Sequence, residues 1–259
     1  MHKLRKMGKK MKIEIGFIIQ FALDDFKSKY AGSLLGTSWA FLQPMLTIFI
    51  YWFVFQLGFR SAPVEDFPFI LWLVSGLISW FFVSDGISSA TGSMMEYNYL
   101  VKKVLFNIKI LPFVKVLSTL FVQIFLLIFT IIAFWIFGFK PSIYYLYMVL
   151  LVTGIAYFTS ALYVFFKDLA QIVSIVLQVQ FWMLPFVWDF KALPVDIEKI
   201  LKLNPMYYVV SGYRDTFIYK IGFWENILSI IYYWTITLII LLVGVKVFDR
   251  LKPHFADVL

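Results

Sequence analysis

Six windows of this sequence are long, apolar and almost free of charge. They are 30–59, 67–95 with Asp85 as its one charged residue, 116–139, 141–166, 169–188 and 226–245. A helix needs about 20 such residues to cross a bilayer. The runs are continuous, whereas strands of a membrane barrel alternate at period two. The expected fold class is therefore all-α integral membrane, with six transmembrane helices. They fall at about 36–59, 67–91, 116–138, 141–165, 169–188 and 226–247. Gly138-Phe139-Lys140-Pro141-Ser142 supplies turn residues between the third and fourth helices. Lys167-Asp168 divides the fourth from the fifth. Read as one helix, 141–188 would be nearly twice the length of a span.

Composition removes other classes. Hydrophobic residues make up 62% of the 259-residue chain and charged residues 15%. Soluble domains average about 45–50% and about 25%. There is no Cys, which excludes disulfides, thiolate metal sites and Cys nucleophiles. His2 and His254 sit at opposite ends of the chain, so no His metal site is expected. No P-loop (G-x-x-x-x-G-K-[ST]) and no G-x-S-x-G elbow occurs. A chain without these motifs is expected to hold no catalytic, cofactor or metal site of its own. The basic start resembles the beginning of a signal peptide. Glu14 and Gln20 interrupt its apolar run, however, so the N-terminus is expected to remain in the mature protein.

Charge sets the expected orientation. The net charge is +8, but its distribution argues for a membrane rather than nucleic acid. With the N-terminus inside, sixteen of the 23 Lys and Arg fall in the inner segments 1–35, 92–115, 167–168 and 246–259. Seven remain outside: Arg60, Lys140, Lys191, Lys199, Lys202, Arg214 and Lys220. Acidic residues divide evenly and do not enter the rule. Both termini are expected to be cytoplasmic, in contact with membrane lipids.

Three segments belong to no span. Residues 13–32 place Ile15, Ile19, Ala22 and Phe26 at helical spacing, with Gln20, Asp24 and Lys27 on another face. That pattern predicts an amphipathic helix in the membrane interface, either an anchor or a contact for a partner. Segment 92–115 mixes apolar residues with Lys102, Lys103 and Lys109. It is too long for a simple connection of about 2–8 residues. It suits either docking to a soluble partner or contact with lipid phosphates. Segment 189–225 contains an apolar stretch, 203–213, too short to span. Asn204-Pro205 predicts a helix start there. Arg214-Asp215 is expected to return the chain to a polar edge. Short helices in this region could gate a path from outside.

Two further features bear on function. Asp85 lies inside an apolar window, and such carboxylates face a bundle interior or a water-filled path. The small neighbours Ser84, Gly86, Ser88, Ser89 and Gly92 also permit close helix packing. Asp85 is thus read as a transport group, a packing group or a residue near the cytoplasmic edge. Aromatics make up 21% of the chain. Trp52, Trp72, Trp135, Trp188 and Trp224 fall near outer ends, where interface belts form. The alternative is a path lined by aromatic faces, over which sugar rings could slide.

These residues carry a family resemblance. Asp25-Phe26-Lys27-Ser28-Lys29-Tyr30-Ala31-Gly32-Ser33-Leu34-Leu35-Gly36-Thr37-Ser38-Trp39, continuing to Pro44, resembles the approach to the first span of ABC-2-type export permeases. So do Phe166-Lys167-Asp168-Leu169, Leu184-Pro185-Phe186-Val187-Trp188 with Leu193-Pro194, and the run 203–217. The last run is most similar to the polysaccharide branch, meaning O-antigen (Wzm-type), capsule and teichoic-acid exporters. One departure is Lys167, where relatives often carry Arg; the charge is kept but not the bidentate fork.

The resemblance implies a homodimeric membrane subunit paired with two P-loop ATPase subunits, which would bind ATP and Mg. It implies a bacterial inner-membrane location and a lipid-linked glycan moved outward. It further implies that Asp24, Lys27, Lys102, Lys103 and Lys109 couple to the ATPase. Asp85, Trp188, Tyr207, Tyr208, Tyr213, Arg214 and Asp215 are the corresponding path or gate candidates. A small-molecule exporter of the same superfamily, a membrane glycolipid enzyme and a passive channel are the competing classes.

Overall fold

The structure is a computed structural model that describes residues 2–60, 67–102, 106–140, 148–186, 194–219, 221 and 225–259, with side chains from residue 14 onward. Among these residues there is no β-strand. Helix α1 spans His2–Lys29 and α2 spans Trp39–Trp52, running on through a wider π turn at Phe53–Gly58. Pro44 lies inside α2, where its missing N–H leaves the Ala40 carbonyl without its helical donor. Helix α3 is Phe69–Thr91 and is followed by two single turns, α4 (Ser93–Glu96) and α5 (Asn98–Val101). Then come α6 (Ile110–Ile136), α7 (Val149–Phe165) and α8 (Leu169–Met183). The last part holds α9 (Val195–Leu201), α10 (Pro205–Arg214), α11 (Ile227–Leu251) and α12 (Phe255–Val258).

Helix ends follow local chemistry. Gly138 closes α6 at a φ of +82°, which side chains with a Cβ rarely adopt. This lets the Phe139 N–H reach back to the Phe134 carbonyl at 2.9 Å. Pro185 stops α8, because a residue before proline avoids the helical region; Leu184 is extended. Asn204 caps α10, its side-chain oxygen accepting from the Met206 N–H at 3.0 Å, with Pro205 at the first helical position.

Among the described residues, four helical stretches are long and apolar enough to cross a membrane: 36–58, α3, α6 and 227–258. Helices α7 and α8, with 17 and 15 residues, fall where the fourth and fifth spans are expected but are shorter. At 1.5 Å per residue they reach about 25 and 22 Å, against a hydrocarbon core of about 30 Å. Pro185 accounts for the short α8. The expected start of the fourth span, 141–147, lies outside the described residues. Among the described residues, four helices thus have the length of a span, and two shorter apolar helices stand where the other two are expected.

Helix α3 is the centre of the bundle. It is apolar around its circumference and packs on α6, α7, α10, α8 and α2. Helices α7 and α11 make the closest pair, with Gly154 facing Gly244. A Cβ on Gly154 would lie 2.8 Å from the Leu241 Cα, and one on Gly244 would collide with the Gly154 carbonyl oxygen. Close backbone approach of this kind holds helices together in lipid, where apolar burial drives nothing. A second cluster closes one end of the bundle. It joins Phe21 of α1, Tyr97, Leu111 of α6, Val164 of α7, Phe248 of α11 and Phe255 of α12.

Candidate functional site

Helix α1 is fixed to the bundle by charge. Asp25 is 3% exposed and Lys115 of α6 is 6% exposed. The Lys115 Nζ lies 2.6 Å from Asp25 Oδ1 and 2.6 Å from Glu96 Oε2. The Tyr97 hydroxyl donates to the same Asp25 oxygen, and Lys115 also lies 5.0 Å from the Tyr97 ring centre. Burial, followed by the hydrogen bond to Asp25, pushes the Tyr97 phenol well above its ordinary range. This ties α1, α4 and α6 into one unit. Residues Ile15 and Ile19 are exposed rather than packed, so the face of α1 that meets the protein is the one bearing Phe21, Ala22 and Asp25.

One turn further along, the Lys29 Nζ reaches Asp85 at 2.8 and 3.1 Å. Burial alone would lower the Lys29 ammonium, but the Asp85 carboxylate outweighs it and raises it. Asp85 also accepts from the Ser89 hydroxyl at 3.3 Å. It is thus a paired carboxylate at the α1 end of α3, half-exposed, not an isolated charge deep in the bundle. The pair borders a cavity of about 450 Å³ between α1, α2, α3 and α6. Gln43, Ser84, Ser88, Thr119 and Gln123 add polar groups to its wall.

Gln123 connects this cavity to α10. It sits near the middle of α6, 1% exposed, and its Nε2 donates to the Tyr213 hydroxyl at 3.0 Å. Next to Tyr213, Arg214 is 7% exposed. Its guanidinium carbon lies 3.5 Å from the centre of the Trp72 ring, and Nη2 donates to the Phe186 carbonyl at 3.1 Å. Gly76 leaves the room, since a Cβ there would lie 3.1 Å from Nη2. The expected return of Arg214 to a polar edge is overturned. The guanidinium is planar and weakly hydrated, so it stacks on an aromatic face inside the protein. Trp72 is correspondingly a buried platform and not a belt residue.

A second cavity of about 160 Å³ lies between α10 and α11. Tyr207, Tyr208, Asp215, Asn226, Tyr233 and Trp234 are among its lining residues. Tyr208 packs against Tyr207 and Tyr232, with ring centres 5.2 and 5.3 Å apart. Burial pushes the Asp215 carboxyl up to about 6, opposed by the Arg214 charge and reinforced by Glu225.

The remaining candidates scatter. Asp24 and Lys27 are exposed on α1, where Asp24 accepts from Gln20 at 3.1 Å. Lys102 is exposed beyond α5. Lys109 pairs with Asp249 of α11 at 2.5 Å, and its carbonyl accepts from the Tyr157 hydroxyl at 3.0 Å. Lys103 and Trp188 lie outside the described residues. The structure therefore brings Tyr207, Tyr208 and Asp215 to one cavity and Asp85 to another, with Tyr213 bonded to Gln123 on the wall of the latter. Sequence reasoning missed Asp25 with Lys115, Lys29 as the partner of Asp85, Trp72 and Gln123. A single polar residue in an apolar run was the one signal available for Gln123.

Comparison with known proteins agrees with this architecture. Residues 19–218 match the ABC-2 type transporter family. The chain is 28% identical over 267 aligned positions to an O-antigen export system permease protein RfbA of Klebsiella pneumoniae, covering 98% of this chain and 100% of the relative. A second protein of that name and organism is 26% identical over 265 positions, with 98% and 100% covered. An O-antigen export system permease protein RfbA of Myxococcus xanthus is 23% identical over 252 positions, covering 93% and 95%. An ABC-2 permease is a multi-pass transport subunit and not an enzyme, and its family implies an ATPase partner. With 19–218 matched, the chain belongs to the ABC-2 type transporter family.

Proposed function

We propose that this permease exports a lipid-linked polysaccharide, of O-antigen type, outward across a bacterial inner membrane. The observation that carries the reading is its similarity to O-antigen export permeases over 93–98% of its length. Two copies pair with two P-loop ATPase subunits, which bind ATP and Mg. Helices α7 and α8 complete a six-span subunit, with short gate helices between α8 and α11 on the outer side. Helix α2 buries only Ala40 and Ile48, so most of its apolar surface is left for lipid or the second copy. Both termini lie in the cytoplasm, in keeping with the sixteen inner Lys and Arg.

The ATPase contacts the α1 end, where Asp24, Lys27 and Lys102 are exposed and Lys103 and Lys109 lie nearby in sequence. The Asp25–Lys115 pair passes its movement from α1 to α6. Glycan passes Asp85 toward α10, which Tyr213 and Arg214 hold to Gln123 of α6 and Trp72 of α3, with Tyr207, Tyr208, Asp215 and Trp188 at the outer gate. The test is reconstitution with the ATPase in proteoliposomes. ATP-dependent appearance of a polyprenyl-linked glycan on the opposite leaflet is the expected result. ATPase stimulation by hydrophobic drugs but not by the lipid-linked glycan would replace this reading with a drug exporter.

A further inference from the structure

The cavity of about 160 Å³ between α10 and α11 has one charged group among its described lining residues, the Asp215 carboxylate. Asp215 makes no ion pair and no side-chain hydrogen bond among the described residues. The cations nearest to it are engaged elsewhere. Arg214 stacks on Trp72 and donates to the Phe186 carbonyl. Lys202 lies 6.0 Å from the Tyr207 ring centre but is held by Glu198 at 2.7 Å. Glu225 brings a second negative charge, close enough to raise the Asp215 carboxyl further. An ionised carboxylate in a partly desolvated place is costly until a cation joins it.

Much of the remaining wall is aromatic. The rings of Tyr207 and Tyr208 meet at 89° with centres 5.2 Å apart, and those of Tyr233 and Trp234 at 75° and 5.6 Å. Aromatic faces attract an ammonium within about 6 Å, and several rings around one point hold quaternary ammonium groups. Tyr207, Tyr208, Asp215 and Trp234 are only half-buried, so each keeps surface for an occupant. The other polar groups are neutral. Ser211, Ser229 and the tyrosine hydroxyls donate or accept. Asn226 spends its Oδ1 on the Ser229 N–H at 3.3 Å, which leaves its Nδ2 and the Trp234 indole N–H as groups that only donate. Such donors also suit an anion or a sugar. The Asp215 charge excludes the anion. Size disfavours the sugar, since a cavity of about 150 Å³ holds benzene, which has about half the heavy atoms of a hexose. A trimethylammonium group fits that space.

We propose that this cavity is an ammonium-binding site, with the cation against Asp215 and the rings of Tyr207, Tyr208 and Trp234. An ammonium-bearing phospholipid headgroup and an ammonium substituent on a glycan share this chemistry. The assignment does not depend on the export reading above.

The test uses the full chain with its ATPase partner in nanodiscs of phosphatidylglycerol, a lipid without an amine. The probe is choline carrying a photoreactive diazirine, followed by peptide mapping. Labelling is expected on 207–215 and 226–234. Choline is expected to compete; 3,3-dimethylbutanol, which has the same shape without the charge, and methyl β-glucoside are not. Asp215→Asn is expected to weaken labelling about tenfold or more. Tyr208→Leu is expected to weaken it about twofold to thirtyfold, the worth of one cation–π contact, while Tyr208→Phe stays near wild type. Labelling elsewhere only, or equal competition by 3,3-dimethylbutanol or methyl β-glucoside, overturns the proposal. Wild-type labelling in a correctly inserted Asp215→Asn protein does so too. So does labelling seen only in Lys220→Gln, which would mean that the chain's own lysine fills the cavity. If Asp215→Asn fails to insert, competition by the neutral isostere decides alone. Labelling lost when phosphatidylethanolamine replaces half the lipid assigns the site to a headgroup. Labelling unchanged by that lipid but competed by a glucosamine oligomer assigns it to a glycan substituent. Labelling requires no transport, so ATP-driven glycan export with an unlabelled cavity removes the site and keeps the function.

Discussion

Lys115 shows how one residue can decide where a helix sits. Its ammonium is buried between two carboxylates, and Asp25 is as buried as the lysine. A pair like this contributes little relative to an apolar replacement, but removing one partner strands the other charge, at about 3–5 kcal/mol. Lys115→Ala is therefore expected to lower stability by about that much, read as thermal unfolding in nanodiscs. The double change Asp25→Asn with Lys115→Met is expected to recover most of the loss, because residues in contact do not add. Lys115 and Asp25 stand 90 positions apart in the chain and carry no local sign that they meet. Asp215 gives a second test at this scale. Its carboxyl is raised from 3.8 to about 6 by burial. Between those values the folded protein keeps a proton that the unfolded chain releases. Folding is thus favoured as pH falls through about 6, and that favour is lost as pH rises above it. Asp215→Asn is expected to be more stable than wild type at pH 7.5, with the gap in melting temperature narrowing toward pH 4.5. A gap independent of pH would mean the carboxyl does not titrate there.

At the scale of elements, two glycines on helices predict opposite outcomes. Gly244→Ala places a methyl against the Gly154 backbone and must separate α7 from α11. Folded, membrane-inserted yield is expected to fall sharply, measured by size-exclusion chromatography of a fluorescent fusion. Gly16→Ala on α1 meets nothing within 4 Å. It is expected to be neutral or to stabilise by about 0.5–1 kcal/mol, since alanine restricts the unfolded chain. Nothing in the residue order distinguishes these two glycines, since each lies in a helical stretch. The start of α10 was legible, because Asn204 and Pro205 form a cap by local chemistry alone. Its depth was not. A ten-residue helix too short to span looks interfacial by length, yet Arg214 and Tyr213 on it are buried by partners on α3 and α6. The end of α8 likewise follows from Pro185, a local stop that charge-free length ignores.

For the whole molecule, the absence of Cys allows a direct test of orientation. Ser33 and Asp196 are both exposed, at opposite ends of the proposed topology. A membrane-impermeant maleimide applied from outside is expected to label Asp196→Cys in intact cells. Ser33→Cys should react only after permeabilisation. The reverse pattern would invert the topology and with it the direction assigned to export. Four spans and six alike place Ser33 and Asp196 on opposite sides, so Lys167→Cys between α7 and α8 separates the two: it is expected to react only after permeabilisation if both helices cross, and from outside if neither does.

Sequence alone determined what depends on neighbours in the chain and on solvent. Continuous apolar runs required helices in a bilayer, because the alternative, a closed barrel, needs strands that alternate at period two. Proline, glycine and asparagine placed several helix ends, and the runs of residues 25–217 carried the family resemblance. Tertiary structure decided what depends on partners distant in the chain. It paired Lys29 with Asp85, buried Lys115 against Asp25, seated Arg214 on Trp72 and joined Gln123 to Tyr213. The reason is the cost of a polar group in an apolar interior: each must find a complement, and only the folded chain shows which one is within reach.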